Sequence, residues 1–295
     1  MKYKSLVFFA TLFLCQFELK AQWPNPPNTI QFGTTFYVDK SEVANIHWLE
    51  FLHNIKQDSS STYYRSVLPD TTLIVKIFPN GEILNNADYI KTEALRYYPI
   101  LGLNYKQASD YCKWRSAVVN NNWGADNTID TSVYRIEYRL PAIAEWEAIA
   151  LANNYNALIP KSRKIKRIVG STKRLTELLL ARGKVADKDD LTPELIQFYQ
   201  QNPIYLFENL AYATDDKDLL AQLPFSFPDV THKADDDQIE DLRGNVSEMT
   251  TTKGIAKGGN WKSKPGSVSL TDEVNYLYPS ELIGFRCVCE IIEKK

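Results

Sequence analysis

The sequence has few of the residues that build metal and redox centres. Its 295 residues include three histidines, four cysteines and two methionines. His47 and His53 are six residues apart, a spacing that does not bring them onto one face of a helix. We therefore expect solvated or capping histidines there, and no histidine-based metal site.

The chain also lacks a surplus of positive charge, a long internal apolar run and a phosphate loop. Its formal net charge is −2, and without a basic domain or interleaved base-stacking aromatics, nucleic-acid binding is disfavoured. After the N-terminus, no stretch reaches the roughly 18 apolar residues of a membrane-spanning helix. Neither GxGxxG nor GxxxxGK[ST] occurs, so nothing predicts a nucleotide phosphate site.

Residues 1–21 have the pattern of a signal peptide. Lys2 and Lys4 precede an apolar run from Leu6 to Cys15, and a short polar stretch ends at Ala21. We expect cleavage before Gln22 and export to the periplasm or cell surface. Lipidation is disfavoured, because leucine stands where a lipid-acceptor cysteine usually has a small residue before it. Association with the outer membrane would then depend on a partner protein.

Three cysteines remain in the mature chain, an odd number in a compartment where disulfides persist. Cys287 and Cys289 share one face of a strand but lie too close along the chain for easy bridging. This favours a bridge between Cys112 and Cys287.

Apolar spacing predicts three helices. The first runs from Ser41 to Ile55, with Ser41 as its N-cap. The second follows a capping box formed by Asn104 and Gln107, and its spacing turns Cys112, with Arg115 and Val119, toward the core. The third begins near Pro141, whose ring suits a first helical turn. A short strand is predicted at 36–38, after an extended lead-in at 22–35.

Residues 161–174 carry seven lysines and arginines. They predict either a site for an acidic protein, glycan or lipid headgroup, or a solvated loop and helix face. The candidate partner-binding residues are Lys161, Arg163, Lys164, Lys166 and Arg167.

Five segments in one order resemble the formylglycine-generating enzyme, or sulfatase-modifying factor, family. They are FYVDKSEVANIHWLEF at 36–51, YPILGLNYKQASDYCKW at 98–114, YRLPAIAEWE at 138–147, DLRGNVSEM at 241–249, and GGNW at 258–261 with GFRC at 284–287. The resemblance implies an α+β domain of C-type-lectin-like fold over 36–295. Within it, residues 153–230 are expected to form a largely helical insertion.

The resemblance also implies roles for single residues. It pairs Cys112 with Cys287 in a disulfide, and it makes calcium a candidate cofactor at Asn245 and Glu248, since oxygen ligands suit hard cations. The structural motif residues are Arg139, Glu145, Trp146, Trp261 and Arg286. The charged motif residues, which also include Glu147, are expected to pair because buried charges need partners.

The family's oxidation chemistry is not expected in this chain. Such enzymes hold copper with two cysteines between the GGNW-like and GFR motifs, and soft thiolates select Cu(I). Here that interval, Lys262 to Ile283, has no cysteine. The three histidines cannot supply the iron site of another branch, so neither copper nor iron is expected.

The sequence therefore favours a non-catalytic component of a cell-envelope assembly. It is similar in character to family members associated with gliding motility and type IX secretion in Bacteroidota. Two alternatives are an oxidase with an atypical metal site near Cys289 and a calcium-dependent, lectin-like ligand binder.

Overall fold

The computed structural model describes residues 23–76, 89–153, 163–182, 184–185, 187–206, 208, 210–212, 214, 216–222 and 239–294. The predicted signal peptide, Cys15 and Lys161 lie outside these residues. Among the helices in the described ranges, none is long and apolar enough to cross a membrane.

The described strands form two four-stranded sheets, with orders β1-β2-β8-β3 and β6-β5-β4-β7. All pairs are antiparallel except β4 with β7, which is parallel. The strands are β1 (Thr29–Gln31), β2 (Phe36–Asp39), β3 (Tyr134–Arg139), β4 (Ser247–Met249), β5 (Ile255–Lys257), β6 (Val274–Asn275), β7 (Ile283–Gly284) and β8 (Val288–Glu293).

The structure describes eight helices. They are α1 (Asn45–Asp58), α2 (Ser61–Ser66), α3 (Tyr105–Ala125), α4 (Ile143–Ala152), α5 (Arg163–Val169), α6 (Thr172–Ala181), α7 (Pro193–Gln201) and α8 (Lys217–Gln222). Short 3₁₀ turns cover Thr71–Lys76, Glu93–Leu95, Lys188–Asp190, Pro203–Leu206 and Pro265–Ser267. The predicted mixture of helix and sheet is confirmed in this general form.

Strand β8 lies at the centre of the first sheet. Cys289 on β8 is opposite Tyr37 on β2 and Tyr138 on β3. Strand β3 is an edge strand, but two of its amides are bound by side chains of α3. Ser116 Oγ accepts from Tyr138 N at 2.8 Å, and Asn120 Oδ1 accepts from Ile136 N at 2.8 Å. Helix α3 thus covers the edge that would otherwise be open to pairing.

Helix α1 begins later than the sequence predicts. Its N-cap is Ala44, so the expectation that Ser41 caps this helix is wrong. The segment before Asn45 is held extended by distant partners: Val43 N donates to Phe285 O at 2.9 Å, and Ala44 forms a bridge with Pro99. These tertiary hydrogen bonds prevent the backbone from entering the helix earlier.

The other two helix starts are closer to the prediction. The capping box is confirmed, because Asn104 Oδ1 accepts from Gln107 N at 3.0 Å and Gln107 Oε1 accepts from Asn104 N at 2.8 Å. Helix α4, however, starts at Ile143 with Ala142 as its N-cap, so Pro141 precedes the helix.

Two clusters of buried apolar side chains form the core. In the first, α1 and α3 pack on the first sheet through an aromatic group that includes Trp48, Phe51, Tyr111 and Phe285. In the second, helices of the predicted insertion pack against Trp146 of α4. Buried insertion residues in that cluster are Leu175, Leu179, Val185, Leu195, Phe198, Tyr199, Tyr205, Leu206 and Leu210.

Candidate functional site

The charged residues of the motifs converge on a buried ion pair between Arg286 and Glu248. Arg286 Nε lies 2.8 and 2.7 Å from the two carboxylate oxygens, and Nη2 lies 2.5 Å from Oε1. Both side chains are 1% exposed. The guanidinium also donates to the carbonyls of Asp39 at 3.1 Å and Glu240 at 2.7 Å. Arg286 therefore joins three separate chain segments, and we define this group of contacts as the motif centre.

Trp146 connects α4 to the motif centre. Its indole Nε1 donates to Glu248 Oε2 at 2.7 Å, and its ring is buried. On the same helix, Glu147 accepts from the buried amine of Lys257 at 2.8 Å. The sequence expectation of paired motif charges is observed at both positions.

The remaining motif pair lies nearer the surface. Arg139 donates to the two carboxylate oxygens of Glu145 at 2.6 and 2.7 Å and also contacts Glu290. Hydrogen bonds from Arg139, and one from the Ala142 N–H, lower the pKa of Glu145 against the opposing effect of partial burial. Glu145 thereby caps α4 and ties it to β3.

Two residues with a left-handed backbone conformation shape the loop that leads to Glu248. Gly244 has φ 85° and Asn245 has φ 55°, values that glycine and asparagine tolerate best. This turn lets Asn245 O accept from Trp261 N at 2.8 Å, while Asn245 Nδ2 donates to Glu42 Oε1 at 3.0 Å. The GGNW and DLRGNVSEM motifs are thus joined through the backbone of Asn245.

Glu42 is a buried carboxyl group that the sequence analysis did not identify. It is fully buried, and its Oε2 has no hydrogen-bond partner among the described residues. Burial, and then the nearby charge of Asp241, raise the pKa of Glu42 well above its ordinary value, with Arg286 acting in the opposite direction. The ionised form of Glu42 is therefore disfavoured relative to that of an exposed glutamate.

A second buried ion pair, also missed, lies beside the first. Arg115 Nη1 and Nη2 contact the carboxylate of Asp39 at 2.7 and 2.8 Å, and Cys287 N donates to Asp39 Oδ2 at 2.9 Å. The sequence contained one sign of this ion pair, since Arg115 lies on the inward stripe of α3. A buried guanidinium requires an acidic partner.

The structure brings Cys112 and Cys287 together as thiols. Their Sγ atoms are 3.5 Å apart and both side chains are buried. The proposed disulfide remains a prediction. Burial raises the pKa of the Cys287 thiol and of the Cys289 thiol, so neither provides much reactive thiolate at neutral pH.

The predicted calcium ligands are hydrogen-bonded to other groups of the same chain. The oxygens of Glu248 accept N–H groups of Arg286 and Trp146, and the amide nitrogen of Asn245 binds Glu42. Within the described part of the chain, no group of three or more His, Cys, Asp or Glu side chains is arranged to hold a metal ion. Calcium binding stays a prediction, and a cation on Glu248 would have to displace Arg286.

The predicted basic residues lie away from the motif centre. Arg163 and Lys164 are in the first turn of α5, and Lys166 and Arg167 are exposed on that helix. Among the described residues, no ion pair joins Lys166 or Arg167 to a motif residue. The two predicted histidines are also separate: His47 Nδ1 accepts from Ala44 N at 3.2 Å, and His53 is exposed.

Residues 12–291 match the family described as the sulfatase-modifying factor enzyme 1-like domain. The chain belongs to this family. The resemblance seen in the sequence is thereby confirmed at the family level.

Two solved structures are similar to this chain. The crystal structure of CarF is 16% identical, with 87% of each chain covered and a TM-score of 0.43. Variable protein 1 of Treponema denticola is 13% identical, with 86% of this chain and 84% of that chain covered and a TM-score of 0.40. No curated protein matches the chain.

The residues of this sulfatase-modifying factor enzyme 1-like domain do not fit the copper ion that the family resemblance implies. The interval from Lys262 to Ile283 supplies no thiolate. The structure describes three cysteines, and all three are buried: Cys112 on α3, Cys287 directly before β8 and Cys289 on β8. Copper(I) prefers soft thiolate ligands, and this donor set does not offer two of them at an accessible position.

Proposed function

We propose that this chain is an exported, non-catalytic member of its family that acts as a structural or binding component of a cell-envelope assembly. The observation that carries the proposal is the pairing of the motif charges. Arg286 with Glu248, Arg139 with Glu145, and Lys257 with Glu147 each satisfy one another. These groups hold the fold together.

The burial of the same residues supports a structural role. A catalytic acid, base or nucleophile has to reach the reacting atoms of its substrate. Glu248 and Arg286 are enclosed, and the thiol of Cys289 is fully buried with a raised pKa. An oxidase centred on Cys289 would require the first sheet to open.

A basic surface on α5 and α6 is the proposed contact for an acidic partner. We define it by four side chains that are exposed and form no ion pair with a described residue: Lys166, Arg167, Lys173 and Arg174. Leu175 and Leu179, on the opposite face of α6, are buried in the second core cluster. The helices are thus anchored on one side and present positive charge on the other, an arrangement suited to electrostatic docking.

The finer parts of the proposal rest on sequence. The N-terminal pattern supports export to the periplasm or cell surface, and the motif series supports a C-type-lectin-like domain. The similarity to members associated with gliding motility and type IX secretion supports a location at the outer membrane. There, a protein partner would hold the chain.

Affinity purification from native envelopes, followed by mass spectrometry, tests this function. We expect stable co-purifying proteins, and we expect replacement of the four basic-surface residues by alanine to remove at least one of them. A matched control replaces Lys56, Lys91, Lys113 and Lys264, four exposed lysines on other elements, which changes the net charge equally. Equal recovery of every partner from both variants would show that the basic surface is not the contact.

Catalysis is tested separately. The purified protein is loaded with Cu(I) and incubated with a cysteine-containing peptide under oxygen, and the peptide mass is followed. We expect an unchanged peptide. Formation of formylglycine would overturn the non-catalytic proposal.

A further inference from the structure

A pocket of about 340 Å³ lies outside the motif centre. Three segments form it: the first turn of α3, the turn between β4 and β5, and the chain that follows β6. Its lining includes Tyr105, Lys106, Lys253, Tyr276, Leu277 and Tyr278. A cavity of this size is at the lower end of the range for small-ligand sites and can receive one or two side chains.

The walls of the pocket are held in place by hydrogen bonds. Tyr105 OH donates to Thr251 O at 2.9 Å, which fixes the α3 wall to the β4–β5 turn. Tyr276 N donates to Gly254 O at 2.9 Å, which fixes the opposite wall to the same turn. Because both walls are attached to one turn, the pocket is formed before any ligand arrives, which reduces the entropy lost on binding.

The rim of the pocket exposes apolar surface. Leu277 is 90% exposed and Tyr278 is 77% exposed, the highest values among the large hydrophobic side chains that the structure describes. The hydroxyl of the preceding residue, Tyr276, is buried. Neighbouring exposed apolar side chains beside a cavity are typical of a contact surface.

The charge of the pocket is positive. Lys106 and Lys253 both line it, and none of its lining residues is acidic. Lys106 contacts Asp110 on the next turn of α3, whereas Lys253 is exposed and forms no ion pair with a described residue. An occupant with negative charge is therefore favoured over a neutral or basic one.

We propose that this pocket binds a short peptide segment of a partner protein, in which an apolar or aromatic side chain is flanked by carboxylates. The side chain would enter between Tyr105 and Tyr276 and cover Leu277 and Tyr278, and the carboxylates would meet Lys253. A sugar fits less well, because most of the lining surface is apolar and would face its hydroxyls. The site lies on elements other than the basic surface and does not depend on it.

The test measures binding of the peptide acetyl-GDFDG-amide to the mature chain by isothermal titration calorimetry. Two further probes, acetyl-GNFNG-amide and acetyl-GDADG-amide, remove the charge or the aromatic ring. We expect saturable binding of the first peptide and at least about tenfold weaker binding of each analogue. Paired replacement of Leu277 and Tyr278 by alanine, and separately Lys253→Glu, should each raise the dissociation constant about tenfold or more.

Matched controls use residues away from the pocket. Leu151 and Tyr97 are an exposed leucine and tyrosine on other elements, and their paired replacement by alanine should leave binding unchanged, as should Lys264→Glu. The proposal is overturned if the first peptide binds more weakly than about 1 mM. It is also overturned if pocket and control variants behave alike, or if glucuronate competes as well as the peptide does. The co-purification and copper assays test the proposed function separately, and their results do not depend on whether the peptide binds.

Discussion

Arg286 donates three hydrogen bonds to Glu248, a residue 38 positions earlier in the chain, and both side chains are shielded from water. Trp146 supplies a further N–H to the same carboxylate. Four hydrogen bonds to one buried carboxylate compensate for its removal from water. The motif centre is therefore a point at which distant parts of the chain depend on one another.

Breaking this pair should strongly destabilise the fold. Glu248→Ala leaves the Arg286 guanidinium charged, buried and without its partner, so the free energy of unfolding should fall by about 3 to 5 kcal/mol. Urea unfolding followed by tryptophan fluorescence measures the change. The control is Arg135→Ala, which removes a pair whose side chains are 52% and 50% exposed and should cost less than about 1 kcal/mol. Similar losses in both variants would contradict the structural role of the motif centre.

Oxidation should join Cys112 to Cys287. Their sulfurs are adjacent across a separation of 175 residues, and closing so long a loop stabilises by about 3 to 5 kcal/mol in the chain-entropy model. Peptide mapping without reductant should find this bridge in chain exported to an oxidising compartment. Cys289→Ser should preserve it, and Cys112→Ser should abolish it along with the added stability. A bridge from Cys112 to Cys289 would contradict the assignment.

Stability should depend on the ionisation of Glu208. Burial raises its pKa from 4.5 to about 7, although Arg243 lies 3.6 Å away and opposes the shift. Since the folded chain binds this proton more tightly than the unfolded chain, the contribution is complete below pH 4.5 and is lost as pH rises through about 7.

Glu208→Gln should remove this dependence. Relative to the wild type, the variant should gain stability between about pH 5 and pH 8, by at most about 3 kcal/mol. Urea midpoints at both pH values measure the difference. A difference that stays constant with pH would show that Glu208 titrates normally.

Gly258 should not tolerate a side chain. Its φ is +93°, and an added Cβ would lie 2.7 Å from the carbonyl oxygen of Leu242. Gly258→Ala should therefore cost at least about 1 to 3 kcal/mol. Gly266→Ala is the control, because an added Cβ there meets nothing within 4 Å. Thermal melting of the two variants should separate them by several degrees, and equal melting temperatures would contradict the geometry.

Local patterns were sufficient where the interacting groups are close along the chain. The capping box of Asn104 and Gln107 spans three residues, so it can be identified from the sequence and is found in the structure. The inward face of α3 followed from helical spacing in the same way, and Cys112 is buried as predicted. The motif series, read in order, also identified the family.

Partners far apart along the chain were decided only by tertiary structure. Asp39 and Arg115 are 76 residues apart, and Glu42 and Asn245 are 203 apart. No periodicity connects such positions, because their approach depends on how sheets and helices pack.

The start of α1 shows the same difference between what local spacing predicts and what distant contacts decide. Its apolar spacing correctly predicted a helix, but long-range hydrogen bonds of Val43 with Phe285 and Ile100 delayed its first turn to Asn45. The sequence by itself determined the three helices that follow from apolar spacing, the strand at 36–38 and the order of the motifs. Packing determined which buried charges meet, because a buried charge is stable only where the folded chain brings its partner.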